Sequence, residues 1–181
     1  MYLIPTNNRL GFEILVNEFW KNNESWLKVW YCFDRGSCKE LELKRFLDIE
    51  KFGKFLGLMQ SEGTKTNKDV VEFCNKSLTE HLDFLDYLAE LGISKTEIVG
   101  KLDYHPRVEG IEKIASDFEK RTDVKIRYVV PGPTSGGGYG FKLIIRSRLL
   151  AEIVYSSLKQ IRDLIKQKKF TEDIDLLRNS F

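Results

Sequence analysis

Histidine, cysteine and proline are scarce in this 181-residue chain, which holds two, three and four of them respectively. The histidines, His81 and His105, lie far in sequence from Cys32, Cys38 and Cys74, and no pair shows ligand spacing, which argues against a structural zinc site. Three cysteines do not make a disulfide framework. Cys32 and Cys38 flank a turn and are read as a reduced pair, with a hairpin disulfide as the alternative. No apolar stretch approaches the roughly 20 residues that span a bilayer, and nothing at the N-terminus joins basic residues to an apolar run. No membrane partner is expected, and the chain reads as soluble and cytoplasmic. Internal repeats are absent, and so is a strong excess of one charge: the formal net charge is +2.

What is present is enough apolar and aromatic residue, 42% and 12%, to bury a core. Charge is uneven along the chain. From Lys95 to Arg148 there are 11 bases and 7 acids, and no acid occurs between Val124 and Ala151. That stretch carries Lys125, Arg127, Lys142, Arg146 and Arg148, a pattern suited to phosphate and equally to an ordinary solvated face.

Leu10 to Trp20 carries apolar residues at helical and strand spacings both and is read as a helix; a β-hairpin follows, from Ser25 to Phe33 and Lys39 to Phe46 around Asp34-Arg35-Gly36-Ser37. Asp48 opens a helix buried through Ile49, Phe52, Phe55, Leu56 and Met59, with Gly63 as its C′ residue. Val70 to Cys74 reads as a strand, and Ser77-Leu78-Thr79-Glu80 as a capping box. The helix it starts buries Leu78, Leu82, Leu85, Leu88 and Leu91 and stops at Gly92. A strand at Glu97 to Tyr104 and a helix opened by Pro106 follow. Strands at Lys125 to Val130 and Phe141 to Arg146 then form a long hairpin through the Gly/Pro-rich Pro131 to Gly140. Ser147 caps a last helix buried through Leu150, Ile153, Val154, Leu158, Ile161 and Ile165; the tail beyond Lys166 reads as a short extra helix. This order predicts an α+β fold, a mostly antiparallel sheet with one face on helices and one face free. The expected divisions are 1–48, an N-terminal hairpin extension; 49–166, the main domain; and 167–181, a charged tail.

The helix from Asp48 to Glu62 places Gly53, Gly57 and Ser61 on one stripe. An interior glycine costs about 1 kcal/mol against alanine, so two on one stripe imply close approach of another backbone, most simply a second copy of the helix. Glu62 stands where the helix dipole disfavours negative charge. Two copies joined through the stripe bring two Glu62 carboxylates together, a site for a hard divalent cation. A core helix ending in a solvated glutamate is the alternative.

Phe55-Leu56-Gly57-Leu58-Met59-Gln60-Ser61-Glu62-Gly63 resembles the LAGLIDADG motif of homing endonucleases, with Gly57 and Ser61 at its small packing positions and Glu62 at its metal-binding acid. Gln60 departs from the motif at its first acid. The similarity extends through Val71-Glu72-Phe73-Cys74-Asn75, Lys101-Leu102-Asp103-Tyr104-His105-Pro106 and Gly138-Tyr139-Gly140, covering Lys51 to about Ile165, and points to a single-motif, archaeal-like branch. The resemblance implies a saddle of antiparallel strands in the DNA major groove. It implies a homodimer with Gly53, Gly57 and Ser61 at its seam and Mg²⁺ at Glu62 and Gly63. The implied activity is site-specific cleavage of double-stranded DNA, as in intron or intein mobility. Strand parity sets Lys125, Arg127 and Val129 opposite Ile126, Tyr128 and Val130, and likewise Lys142 and Arg146 opposite Phe141, Leu143 and Ile145; Lys101 and His105 share the parity that adds a third strand to this basic surface, with Lys101 as a DNA contact. Lys142 is the candidate for supporting the attacking water; His105 before Pro106 reads as structural. A non-cutting DNA-binding regulator of the same fold and a protein-interaction domain are the competing readings. The ending Ile174 to Phe181 looks like the approach to a second motif helix, which would make the chain half of a two-motif protein.

Overall fold

The computed structural model describes residues 12–33, 38–45, 48–63, 69–132 and 138–178. The expected turn at Asp34 to Ser37, and Phe46, lie outside them.

Three antiparallel strands come first: β1 (Phe12–Lys21), β2 (Glu24–Phe33) and β3 (Cys38–Lys44), in the order β1-β2-β3. The helix expected over Leu10 to Trp20 is thus corrected to a strand. The reason lies in the two residues after it. Asn22 and Asn23 take φ of 53° and 62°, the left-handed conformation that a two-residue hairpin turn needs and that asparagine tolerates. Lys21 then faces Glu24, and β1 pairs with β2 along its whole length. The β2–β3 hairpin forms as expected. Cys38 is disulfide-bonded and faces Cys32 in the register, so the reduced state favoured from the sequence is corrected; directly opposed strand residues lie within disulfide reach. Lys28 pairs with Glu40 at 2.9 Å and Glu42 at 3.6 Å, and Lys44 with Glu24 at 3.1 Å. Leu27, Val29, Leu41 and Leu43 are buried in the main core.

The remaining elements mix helix and strand: α1 (Ile49–Glu62), β4 (Val71–Asn75), α2 (Leu78–Leu91), β5 (Ile98–Tyr104), α3 (Ile111–Thr122), β6 (Ile126–Pro131), β7 (Tyr139–Ile145) and α4 (Arg148–Arg178). The fold is α+β, as expected. Its second sheet runs β4-β7-β5-β6, with β5 and β6 parallel and the other pairs antiparallel. The expected β6–β7 hairpin is corrected: β7 lies between β4 and β5, and β6 at the far edge. Parallel neighbours need a long crossover, and α3 supplies it, sealed where the backbone N–H of Ile126 donates to Glu119 Oε1 at 2.7 Å.

Helix boundaries follow their caps. Ser77 Oγ accepts from Glu80 N at 3.4 Å, but the Glu80 carboxylate takes the amide of Asn75 instead of completing the box. Gly92, at φ 94°, closes α2. Leu82 is exposed, and His81 and Phe84 fill the stripe expected of it. The α3 helix starts at Ile111 rather than Pro106, after Gly110 at φ 69°. Ser147 Oγ caps α4 through Leu150 N at 3.2 Å, and α4 continues through the expected separate tail helix to Arg178; the side chain of Ile165 lies outside the described residues.

One apolar cluster joins Val71, Phe73, Ile98, Leu102, Phe141, Leu143 and Ile145 of the sheet to all four helices. Phe73 stacks on Phe84 at 4.5 Å and Phe118 on Phe141 at 3.9 Å. His81 sits edge-on between Phe73 and Phe118, each 5.2 Å away, fully buried. Its Nδ1 lies 2.8 Å from Ser77 O and its Nε2 3.2 Å from Phe141 O. Burial pulls the imidazole pKa down and outweighs these carbonyls and Glu80, which favour the charged ring. The folded state therefore binds this proton less readily than the unfolded chain, and stability rises with pH across the window. Stability is expected to fall as pH drops below about 6.5, by at most about 1.4 kcal/mol per unit, before carboxylates titrate. Urea midpoints between pH 7 and 5 test this against His81→Gln, which should flatten the slope; an equal slope in both would assign the effect elsewhere.

Candidate active site

The α1 helix begins where Asp48 accepts from Glu50 N at 2.9 Å and Lys51 N at 3.1 Å, which also holds the Asp48 carboxyl below its usual range. Phe55, Leu56 and Met59 are buried on one side. On the other, Gly53, Gly57 and Ser61 are exposed, and a Cβ built on either glycine meets nothing within 4 Å. Ser61 Oγ donates back to Leu58 O at 3.1 Å.

The far end of α1 is pinned to the sheet. Gly63 forms an isolated bridge with Phe73 of β4, and its N–H donates to Met59 O at 3.2 Å. Its φ is −79°, so the expected left-handed C′ role is corrected. Gly63 is required instead because a Cβ there would lie 2.5 Å from the Met59 side chain and carbonyl.

Pinned in this way, Glu62 reaches a cleft of about 730 Å³ at one end of the sheet's open face. Cys74, Asn75, Asp103, Tyr139 and Lys142 line it, together with Val130 to Gly132. Glu62 and Lys142, the two candidate catalytic residues, therefore share one cavity; Gly63 adjoins the cavity without lining it. Lys101 and Lys142 face each other across β5 and β7. Asp103 bridges them, at 2.8 Å from Lys101 and 3.3 Å from Lys142. Partial burial acts to raise the Asp103 pKa, but hydrogen bonds from both lysines outweigh it and hold the carboxyl below its usual range. Burial likewise acts to lower Lys142, and Asp103, with Cys74 and Glu72, holds it above. Burial first, then Asp103, Glu62 and Glu72, push the Cys74 thiol up against the pull of Lys142, so it stays protonated and is a poor nucleophile.

The other basic candidates spread out. Lys125 pairs with Glu119 at 3.3 Å, and Arg148 with Asp69 at 3.7 Å. Arg127 and Arg146 are exposed and form no ion pair among the described residues; Arg146 lies beside Lys39 and Glu40 of β3. A register shift between Gly100 and Lys101 sets Tyr128 and Val130 opposite Lys101 and Asp103, and Val129 opposite Leu102 of the core face. This corrects the simple alternation that gave Lys125, Arg127 and Val129 one face. His105, beyond β5, accepts from Arg107 N at 3.2 Å through Nδ1, a turn role as expected. Asp103 was the residue that sequence reasoning missed, although its two-residue spacing from Lys101 already put both on one face.

Among the described residues no helix is long and apolar enough to cross a membrane, and no group of three or more His, Cys, Asp or Glu side chains is arranged to hold a metal. No family model, curated protein or solved structure matches the chain.

Proposed function

We propose that this chain is a LAGLIDADG-type homing endonuclease: a homodimer, acting inside the cell, that binds double-stranded DNA and hydrolyses specific phosphodiester bonds. The observation that supports this reading most is the joining of Glu62 and Lys142, distant in sequence, in one cleft at the end of α1, while the Gly53, Gly57, Ser61 stripe of the same helix stays open for a second copy. Among the described residues that line the cleft, one carboxylate has no ion pair, Glu62; Asp103 is engaged by two lysines. Doubling across the seam gives two carboxylates, within the count that Mg²⁺ takes alongside phosphate and water. Bound there, Mg²⁺ supplies Lewis acidity and an activated water. Lys142 supports the attacking water, and Lys101 on the open sheet face contacts the duplex backbone together with Lys125, Arg127, Arg146 and Arg148 elsewhere in the fold.

The test joins oligomeric state to DNA binding. The wild-type chain is expected to sediment as a dimer and Gly57→Leu as a folded monomer, because among the described residues nothing lies within 4 Å of a Cβ at that position. DNA affinity should fall steeply with salt. A monomeric wild type would sink the homodimeric nuclease. One specific observation favours a regulator that binds without cutting: the single unpaired carboxylate among the described residues of the cleft. Salt-dependent binding without Mg²⁺-dependent cleavage is its signature.

A further inference from the structure

Two lysines placed directly opposite each other on adjacent strands repel. The arrangement persists here because Asp103, two residues beyond Lys101 on the same strand, reaches both ammonium groups. The three side chains are each about a quarter to a third exposed. They lie on the open face, and Asp103 and Lys142 line the cleft that Glu62 enters. The cluster thus consists of two donors aimed at one anion, open to solvent on the side from which a ligand would come. A carboxylate and a phosphodiester each carry one negative charge and accept from ammonium in the same way.

We propose that Lys101 and Lys142 form a seat for a backbone phosphate of DNA, and that Asp103 fills this seat in the unbound protein and acts as a built-in brake on polyanion binding. The proposal rests on the DNA-binding reading above and adds to it an identified phosphate contact and its competitor. An entering phosphate takes over hydrogen bonds that Asp103 makes in the free protein, so the net gain per lysine is smaller than for an unpaired base. The brake falls on every duplex alike. It therefore lowers affinity for every sequence by the same factor and leaves their ratio unchanged, so that only a sequence that adds base contacts is bound tightly. The depressed Asp103 and raised Lys142 pKa values agree with a tightly held cluster.

The experiment titrates a short fluorescent mixed-sequence DNA duplex with wild type and with Asp103→Asn over a range of salt, following anisotropy. Asparagine keeps the shape and one acceptor oxygen but removes the charge. Freeing two ammonium groups should steepen the slope of log affinity against log salt by about one to two and tighten low-salt binding roughly tenfold or more. A purely structural Asp103 would lower the urea midpoint on replacement and leave the salt slope unchanged. Wild-type binding with no steeper slope in the variant would overturn the brake and leave the DNA-binding reading standing. No binding by either protein would overturn both. Binding by the variant alone would support the brake and remove DNA as a ligand of the wild type. If opposed lysines prevent Asp103→Asn from folding, the comparison is repeated in Lys142→Gln, where one ammonium remains. There the added Asp103→Asn should steepen the slope by about one, and no change would overturn the proposal.

Discussion

Replacing Glu62 by glutamine is expected to abolish Mg²⁺-dependent cleavage of duplex DNA while leaving the fold intact. The loss should be on the order of a hundredfold or more, the scale for removing one preorganised polar group from an active site. The variant should also melt slightly higher than wild type. Glu62 lies at the C-terminal end of α1 with no basic residue in the last turn, so its charge opposes the helix dipole, and glutamine keeps the size without the charge. A residue whose removal stabilises the protein and ends its activity is held there for function. Plasmid nicking with Mg²⁺, beside thermal melting of the same preparations, gives both readings. Equal cleavage by wild type and variant would remove Glu62 from the chemistry. A lower melting temperature would mean that Glu62 holds the structure through contacts beyond those described.

The largest loss of stability is expected from Phe73→Ala. Phe73 is fully buried, stacks on Phe84 at 4.5 Å and meets His81 edge-on. It also sits opposite Leu143 in β7 and bridges to Gly63. Truncation in such surroundings costs about 3–5 kcal/mol, through lost burial and an unfilled cavity. Urea denaturation should show a fall of that size in unfolding free energy with an unchanged m value. The same residue ties core to cleft, because the Gly63 bridge fixes the end of α1 from which Glu62 projects. Phe73→Leu, which keeps much of the volume, should cost clearly less and retain DNA binding. A loss under about 1 kcal/mol for the alanine variant would show that the core does not depend on this stack.

Local chemistry was legible wherever a residue's role depends on near neighbours along the chain. Asp48, Ser77, Gly92 and Ser147 mark helix ends in the sequence, and each occupies that place in the fold. The apolar parity of Phe141, Leu143 and Ile145 announced the buried face of β7, and all three are buried. The Asn22-Asn23 turn was equally available, and overlooking it made β1 look helical. His81 was harder to find. It shares the helical stripe with Leu85 and Leu88, but a histidine in that position is ordinarily read as polar surface, and only the flanking Phe73 and Phe118 make it core.

The amino-acid sequence by itself determined the helices and most of the strands, their inner faces and the α+β order, because caps, turns and periodicity act over a few residues. The order of strands was decided only in three dimensions. The α3 crossover lays β6 parallel to β5 and sends β7 between β5 and β4, a choice set by how helices cover the sheet and not by the loop before β7. Charge followed the same division. The stretch from Val124 to Ala151 lacks acids in sequence, yet Lys125, Lys142 and Arg148 each meet a carboxylate from elsewhere in the chain, on Glu119, Asp103 and Asp69. Electrostatic pairing depends on distance through space, which the linear order of residues does not encode until the chain has folded.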